Sequence, residues 1–235
     1  MSFTGVVAAL EFEARSLGQL SDGSLISVSG IGADNAARAA RALVAAGAGA
    51  LLSWGVAGAL DPQLSCGTAV LPAEVLRQGQ RYATSRRWRE RLLAALQGHV
   101  RLATGALLTS EPAVAAAALK ASLFRQTRAV AVDMESAAVA EVAADHGLPF
   151  LALRVILDRA RDSLPESILR ALNPAASRHP GRARGRALLW PLLCAPADWG
   201  RLLRLAAQYR VARRALGQCG RHGNPTRLID ARGGG

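Results

Sequence analysis

The sequence is poor in several residue types that often point to a function. It has one lysine, Lys120, among 29 basic residues, and aromatic side chains make up only 4% of its 235 residues. No apolar run approaches the roughly 18 residues that a membrane-spanning helix requires, which argues against an integral membrane protein. Its 3 cysteines lack the spacing of metal or redox motifs, and its 4 histidines are scattered. We therefore expect a reduced, cytoplasmic protein without a metal site.

Charge is divided unevenly along the chain. Residues 1–158 carry 14 basic and 13 acidic side chains, whereas residues 159–235 carry 15 arginines and only 4 acidic side chains. The two net charges, +1 and +11, add up to the +12 of the whole chain. We interpret residues 159–235 as a basic, helical extension that closes the same domain as residues 1–158. Aromatic residues are not interleaved with the arginines, so a nucleic-acid partner is not expected.

Short apolar runs alternate with helical patterns in residues 1–158. We interpret the runs as strands and the stretches with apolar residues every three to four positions as helices. Strands are predicted at 5–10, 25–29, 50–53, 68–71, 101–108, 129–132 and 150–157, and helices at 33–46, at 86–97, from 111 onward and up to 146. This alternation is typical of an α/β fold with a mostly parallel central sheet flanked by helices.

The segment 128–158 is the most informative part of the sequence. It contains two apolar runs joined by a helical pattern. The first run ends at Asp133 and Glu135, and the second ends at Asp158. Because open α/β sheets bind their ligands at the carboxyl ends of their strands, these acidic side chains are candidates for a functional site.

Motifs in and around this segment resemble those of a known superfamily. Residues 132–138 are VDMESAA and residues 154–158 are RVILD, where that superfamily has V-E-M-E-A-x-A and R-x-x-S-D. Further matches come earlier in the same order, namely ALEFE at 9–13, SGIG at 29–32 and SWGVAGAL at 53–60. Over residues 5–158 the sequence thus resembles purine nucleoside phosphorylases and methylthioadenosine/adenosylhomocysteine nucleosidases. The resemblance implies a nucleoside phosphorylase-like fold, a catalytic core in residues 1–158, no cofactor and a homo-oligomer.

The resemblance also implies roles for individual residues. Asp158 would be the general acid that protonates N7 of the leaving purine, Glu13 would orient the nucleophile, and Glu135 would hold the ribose hydroxyls. The other implied contacts are Met134, Gly55, Val56, Ala57 and Val114 for the substrate, and Arg154 and Arg15 for the nucleophile or phosphate. Cleavage of an N-glycosidic bond needs a general acid, groups that bind the sugar and a positioned nucleophile.

Three positions depart from the family pattern. Val56 and Leu157 stand where the family has serines, and Ala113 stands where it has an aromatic residue that stacks on adenine. Because Ala113 is small, we expect a roomier pocket at this position, which favours a bulkier nucleoside. Without the resemblance, the favoured interpretation of Asp158 is a side chain that only caps a strand end or pairs with Arg154.

The C-terminal extension narrows the substrate further. Residues 187–194 are ALLWPLLC, and residues 198–216 have the basic amphipathic pattern of helices that lie on anionic membrane surfaces or pack on a protein body. The combination resembles the hopanoid-associated phosphorylase branch, which acts on adenosylhopane. It implies phosphorolysis, with phosphate as co-substrate, by a cytoplasmic protein peripheral to the inner face of the membrane. The alternatives are a hydrolytic nucleosidase of the methylthioadenosine type and a non-catalytic protein of the membrane surface.

Overall fold

The computed structural model describes residues 3–18, 20, 23–164, 199–223 and 225–226, without the side chains of residues 199, 201 and 202. The apolar segment 187–194 therefore lies outside the described residues, as does most of the basic extension before residue 199. Among the helices in the described ranges, none combines the length and apolar character needed to cross a membrane.

Strands and short helices alternate through the first 158 residues. The strands are β1 (Phe3–Ala8), β2 (Leu25–Val28), β3 (Ala48–Ala59), β4 (Ala69–Val70), β5 (Glu74–Arg77), β6 (Gln80–Ala83), β7 (Leu102–Ala103), β8 (Ala106–Thr109), β9 (Ala129–Asp133) and β10 (Phe150–Asp158). The helices are α1 (Glu11–Ser16), α2 (Ala33–Ala45), α3 (Arg86–Leu96), α4 (Ala117–Thr127) and α5 (Ser136–Asp145). The basic extension contributes α6 (Trp199–Gln218), which ends in a π-helical turn, Cys219–Gly223.

Strand β3 organises the sheet because it pairs with three other strands. It runs parallel to β1 and to β10, and its last residues pair with β9 in the antiparallel direction. The strand order is β6-β5-β8-β9-β3-β10-β4-β7, with β1 beside β3 and β2 beside β1. Parallel pairs predominate, which confirms the predicted mostly parallel sheet. The carboxyl ends of β1, β3 and β10 consequently lie at one edge.

Helices cover the sheet on both faces. One apolar cluster places α2 and α5 against β3 and β10, and it is packed largely with alanine and valine. A second cluster brings α3 and α6 together with the tryptophans Trp54 and Trp88. Small side chains on the first face let α2 and α5 approach closely, whereas the large rings fill the wider space on the second face. These layers confirm the predicted sheet flanked by helices.

Helix α6 packs on the body of the protein. Its residues Ala212 and Leu216 are completely buried and belong to the cluster that contains Trp54. Near the middle of the helix, Tyr209 meets Phe12 of α1 edge to face, with ring centroids 4.9 Å apart. Not every apolar residue of the helix is covered, since the Leu203 side chain is 72% exposed. The buried stripe instead follows a three-to-four-residue spacing that begins further along the helix.

Two local predictions are wrong. The run 101–108 is not one strand, because the chain bends at Gly105 (φ 131°), where an added Cβ would lie 2.8 Å from the Val130 side chain. The helix predicted from residue 111 begins instead at Ala117. Glu111 lies in the segment before this helix, where its carboxylate accepts a hydrogen bond from the backbone N–H of Ala33, at 2.6 Å, at the beginning of α2.

Candidate active site

The site is built around Arg154, whose side chain is fully buried in the middle of β10. Its Nε donates to Asp133 Oδ2 at 2.8 Å, and its Nη2 donates to the Ser53 hydroxyl at 2.8 Å. Ser136 Oγ accepts from the same two nitrogens at 3.2 and 3.1 Å. A buried guanidinium is tolerated only when its charge and its donors are matched. Side chains from β3, β9 and α5 meet this requirement together.

Asp133 fixes Arg154 and is itself held by two other elements. Its Oδ1 accepts a hydrogen bond from Thr109 Oγ1 at 2.7 Å, and its Oδ2 accepts one from the backbone N–H of Ser136 at 3.1 Å. Asp133 therefore ties the end of β8 and the start of α5 to the buried arginine. No individual role was predicted for Asp133 from the sequence.

Three hydroxyl side chains of this network, Ser53, Thr109 and Ser136, were not predicted as site residues. Ser53 and Ser136 are fully buried, and they hydrogen-bond to each other at 3.0 Å. A signal for them exists in the sequence, since Ser53 interrupts one apolar run, Thr109 ends another and Ser136 directly precedes a third. Such a hydroxyl needs a buried partner, and a lone arginine within an apolar strand is an obvious candidate.

Glu135 lies beside Arg154 and connects the site to α2. Its Oε1 accepts a hydrogen bond from the backbone N–H of Gly32 at 3.0 Å, and its Oε2 lies 3.7 Å from Arg154 Nη2. Burial raises the pKa of Glu135 to about 7, with Arg154 opposing the rise and Asp133 adding to it. The SGIG and VDMES motifs, far apart in the sequence, therefore meet at this carboxyl group.

Glu13 is held in one orientation at the start of α1. Its Oε2 accepts from the backbone N–H of Leu10, and its Oε1 accepts from that of Val56, both at 2.9 Å. The side chain is only 2% exposed. Burial raises the pKa of Glu13, and the positive charge of Arg154 opposes this rise. At Val56, where the family has a serine, the main-chain N–H supplies the contact to the carboxylate.

The glycines of β3 allow close approach at both ends of the site. A Cβ added at Gly55 would collide with the Glu13 carboxylate and with the Arg154 guanidinium. A Cβ added at Gly58 would lie 3.3 Å from Asp158 Oδ1. Only glycine at position 55 lets these two charged groups lie directly against the strand.

Asp158 ends β10 and is 4% exposed. Its Oδ2 accepts a hydrogen bond from the ammonium group of Lys120, the side chain of which comes from α4 and is fully buried. Burial raises the pKa of Asp158, and the charge and hydrogen bond of Lys120 oppose the rise. Lys120 was not predicted as a partner of Asp158, although it is the only lysine of the chain.

The remaining predicted residues do not all join this group. Arg15 points outward, with its side chain 80% exposed and 3.7 Å from Glu11. Val114 is buried in an apolar cluster with Leu60 and Val132. Ala57 is buried in the main apolar cluster, and Met134, between Asp133 and Glu135, is half-buried.

The arrangement separates two kinds of chemistry along β3. Arg154 and its carboxylates lie beside Gly55, and Asp158 with Lys120 lies beside Gly58. The two groups are three residues apart along β3, a distance of about 10 Å. One end can hold a nucleophile or a polar group, and the other can give a proton. Within the described ranges, no three His, Cys, Asp or Glu side chains are placed to hold a metal ion.

The fold has many relatives among solved structures. One is 5′-methylthioadenosine/S-adenosylhomocysteine nucleosidase from Neisseria meningitidis in complex with methylthio-immucillin-A, with a TM-score of 0.64 at 21% identity, covering 68% of this chain and 87% of that one. Another is futalosine hydrolase of Helicobacter pylori strain 26695, with a TM-score of 0.63 at 21% identity, covering 68% and 86%. At this level of identity the likeness establishes the fold.

The family relationship rests on the sequence itself. No protein with curated annotation matches the chain. Residues 13–179, well over half of the chain, match the family described as the phosphorylase superfamily. The match confirms the resemblance at the level of the superfamily, and it does not single out the hopanoid-associated branch. The protein is a member of the phosphorylase superfamily.

Proposed function

We propose that the protein hydrolyses the N-glycosidic bond of an adenine nucleoside, with water as the nucleophile. The observation that carries this proposal is the gathering of Glu13, Asp133 and Glu135 around the single guanidinium of Arg154, all of them buried. The reaction needs no cofactor. Relatives with the same fold include a nucleosidase and a hydrolase, which supports this reaction class.

The charges around Arg154 favour water over phosphate. An entering phosphate would bring negative charge next to a carboxylate at Glu13, while Arg154 already donates to Asp133, Ser53 and Ser136. Like charges repel strongly in a buried site, where screening is weak. A neutral water avoids this repulsion. It can donate one hydrogen to the fixed Glu13 carboxylate, which orients the oxygen for attack on the sugar.

The other two requirements are met along β3. Glu135, beside Arg154, is placed to accept hydrogen bonds from ribose hydroxyls. Asp158, about 10 Å away along the strand, is placed to protonate the leaving base. As the bond to the base breaks, its electron pair goes to the purine and the Asp158 proton neutralises it. Water adds to the sugar carbon and gives its proton to Glu13.

Phosphorolysis of adenosylhopane remains a prediction from the sequence. The segment that suggested a lipid-linked substrate, 187–194, lies outside the described residues, and so does much of the arginine-rich stretch before α6. Arg15, predicted to help hold phosphate, points away from Arg154. The described residues thus support the hydrolytic alternative.

The test is to follow adenine release from methylthioadenosine, adenosine and detergent-solubilised adenosylhopane, each with and without phosphate. We expect release without phosphate and a free ribosyl product by mass spectrometry. Asp158→Asn should reduce release by about 10²- to 10⁴-fold, because an amide cannot supply the proton. A 1-phosphoribosyl product formed only when phosphate is present would contradict hydrolysis. Absence of adenine release from all three substrates would reject the proposed reaction.

A further inference from the structure

Lys120 is the least expected residue of the structure. It is the only lysine of the chain, and it is 0% exposed on α4, although lysine is among the residue types least often buried. Its Nζ donates to Asp158 Oδ2, to the backbone carbonyl of Arg159 at 3.0 Å and to that of Asp162 at 2.8 Å. A buried lysine side chain destabilises the folded state unless it has such partners. Packing alone therefore does not explain why a lysine is buried at this position.

The three acceptors define the chemical form of the nitrogen. Two of them are backbone carbonyls, which cannot donate a hydrogen bond, and the third is a carboxylate oxygen. A neutral amine has two N–H groups, whereas an ammonium has three. The geometry therefore fits a charged Lys120 with every N–H used. Its position is fixed by the main chain that follows β10, independently of the carboxyl group.

We propose that Lys120 is a positioning residue for the acid: its ammonium holds the Asp158 carboxyl group and sets how readily that group gives its proton to the leaving purine. The inference rests on the proposed function and concerns the same site. In the reaction the proton leaves the Asp158 oxygen, and Lys120 remains charged and stabilises the carboxylate that is formed. Solvent later returns a proton to the carboxylate.

Lys120 counteracts the effect of burial on the pKa of Asp158. Burial raises the pKa of Asp158, and an acid that holds its proton too firmly is a poor donor. The fixed ammonium opposes that rise. Other charged groups share a cavity of about 200 Å³ with Asp158, namely Asp162, Arg161 and Arg204. Arg204 is 70% exposed and lies 4.0 Å from Asp162, so solvent screens it far more than Lys120.

The experiment compares pH profiles of kcat/KM for Lys120→Met, Arg204→Met and the unaltered protein on a substrate that releases adenine. Lys120→Met replaces the buried ammonium-bearing side chain with an uncharged one of similar shape. The basic limb of its profile should then move to higher pH by about one to three units. Arg204→Met removes a charge from the same cavity and should leave the limb in place. An unmoved limb in Lys120→Met means a merely structural lysine and overturns the proposal. A limb moved to lower pH also overturns it, because the ammonium would then be the proton source.

A second measurement requires neither activity nor a folded Lys120→Met variant. Incorporation of ¹⁵N-lysine gives one side-chain signal, since the chain has one lysine. In the unaltered protein this signal should be an ammonium that exchanges slowly with water, and Asp158→Asn should shift it or speed its exchange. A signal that exchanges rapidly with water and does not change in Asp158→Asn would show that Lys120 and Asp158 are not paired, which overturns the proposal. A protein that releases no adenine refutes the proposed function, whereas an active one with an unshifted profile refutes the role of Lys120 alone.

Discussion

At the scale of single residues, the candidate site buries acidic side chains that most proteins leave in water. Glu13, Glu135 and Asp158 are all buried, and burial raises the pKa of each. The cost is offset by Arg154, by Lys120 and by main-chain N–H groups. A protein that maintains such groups does so at the expense of stability, which is typical of sites built for chemistry.

Glu135 gives a measurable consequence for stability. Its pKa is raised to about 7 in the folded protein, so between about pH 4.5 and 7 the folded state binds more protons than the unfolded chain. Stability from this group is present at low pH and is lost as the pH rises through that window. Glu135→Gln should therefore reduce the loss of unfolding free energy between pH 5 and pH 7 by at most about 3 kcal/mol, and the fall in Tm over this range should shrink accordingly.

The control for this prediction is Glu11→Gln, because the Glu11 side chain is 65% exposed and its loss should leave the pH dependence of Tm unchanged. The measurement is thermal unfolding at half-unit steps of pH. An unchanged fall in Tm for Glu135→Gln would mean that Glu135 is ionised throughout the window.

At the scale of secondary-structure elements, β3 is a 12-residue strand that the sequence pattern predicted as only four residues, 50–53. The glycines and alanines after Ser53 carry no strand signal of their own. The strand continues there because β10 pairs with it, with Arg154 opposite Gly55 and, after a shift in register, Asp158 opposite Gly58. Long-range pairing decides the conformation where local preference is weak.

The close approach at Gly55 can be tested with one methyl group. Gly55→Ala would force the added Cβ into Glu13 and Arg154, so we expect a loss of about 1–3 kcal/mol in stability and a loss of activity. Gly200→Ala, in α6, adds a methyl group that meets nothing within 4 Å and should be tolerated. Thermal unfolding and adenine release measure both effects. A fully stable, fully active Gly55→Ala protein would show that β3 has room to move at the site.

The candidate site was predictable to the extent that its acids are marked by position. The apolar runs that form β9 and β10 come just before Asp133, Glu135 and Asp158. Both strands pair with β3, so these acids lie in the same part of the sheet. The partners were not predictable in the same way. Lys120 lies 38 residues from Asp158 in the sequence, in a helix whose start was misplaced, and nothing local shows that its side chain points inward. Three-dimensional pairing of opposite charges has no sequence period.

At the scale of the whole molecule, the basic extension and the body share one core. Ala212, Leu216 and Cys219 are completely buried and pack in the same cluster as Leu151 and Leu153 of β10. The strand that carries Arg154 and Asp158 is therefore supported on one face by the extension. Removing the extension would expose this cluster, so truncation is a poor way to examine its function.

Two leucines of α6 provide a matched comparison. Leu216 is 0% exposed and Leu203 is 72% exposed. Leu216→Ala should lower the free energy of unfolding by about 2–5 kcal/mol, whereas Leu203→Ala should change it by less than about 0.5 kcal/mol. Urea or thermal unfolding of the two variants gives the result directly. Equal, small effects would indicate that α6 is loosely attached to the body in solution.

The burial of Lys120 determines how this protein can be handled at the bench. Amine-directed reagents such as succinimidyl esters, glutaraldehyde and reductive-methylation mixtures need an accessible lysine, and this protein offers only a shielded one. In the native state they should react at the α-amino group alone, so a dye or biotin can be attached at one defined point. The same property makes amine cross-linking unsuitable for testing whether the protein is an oligomer. Light scattering or native mass spectrometry is the better choice for that question.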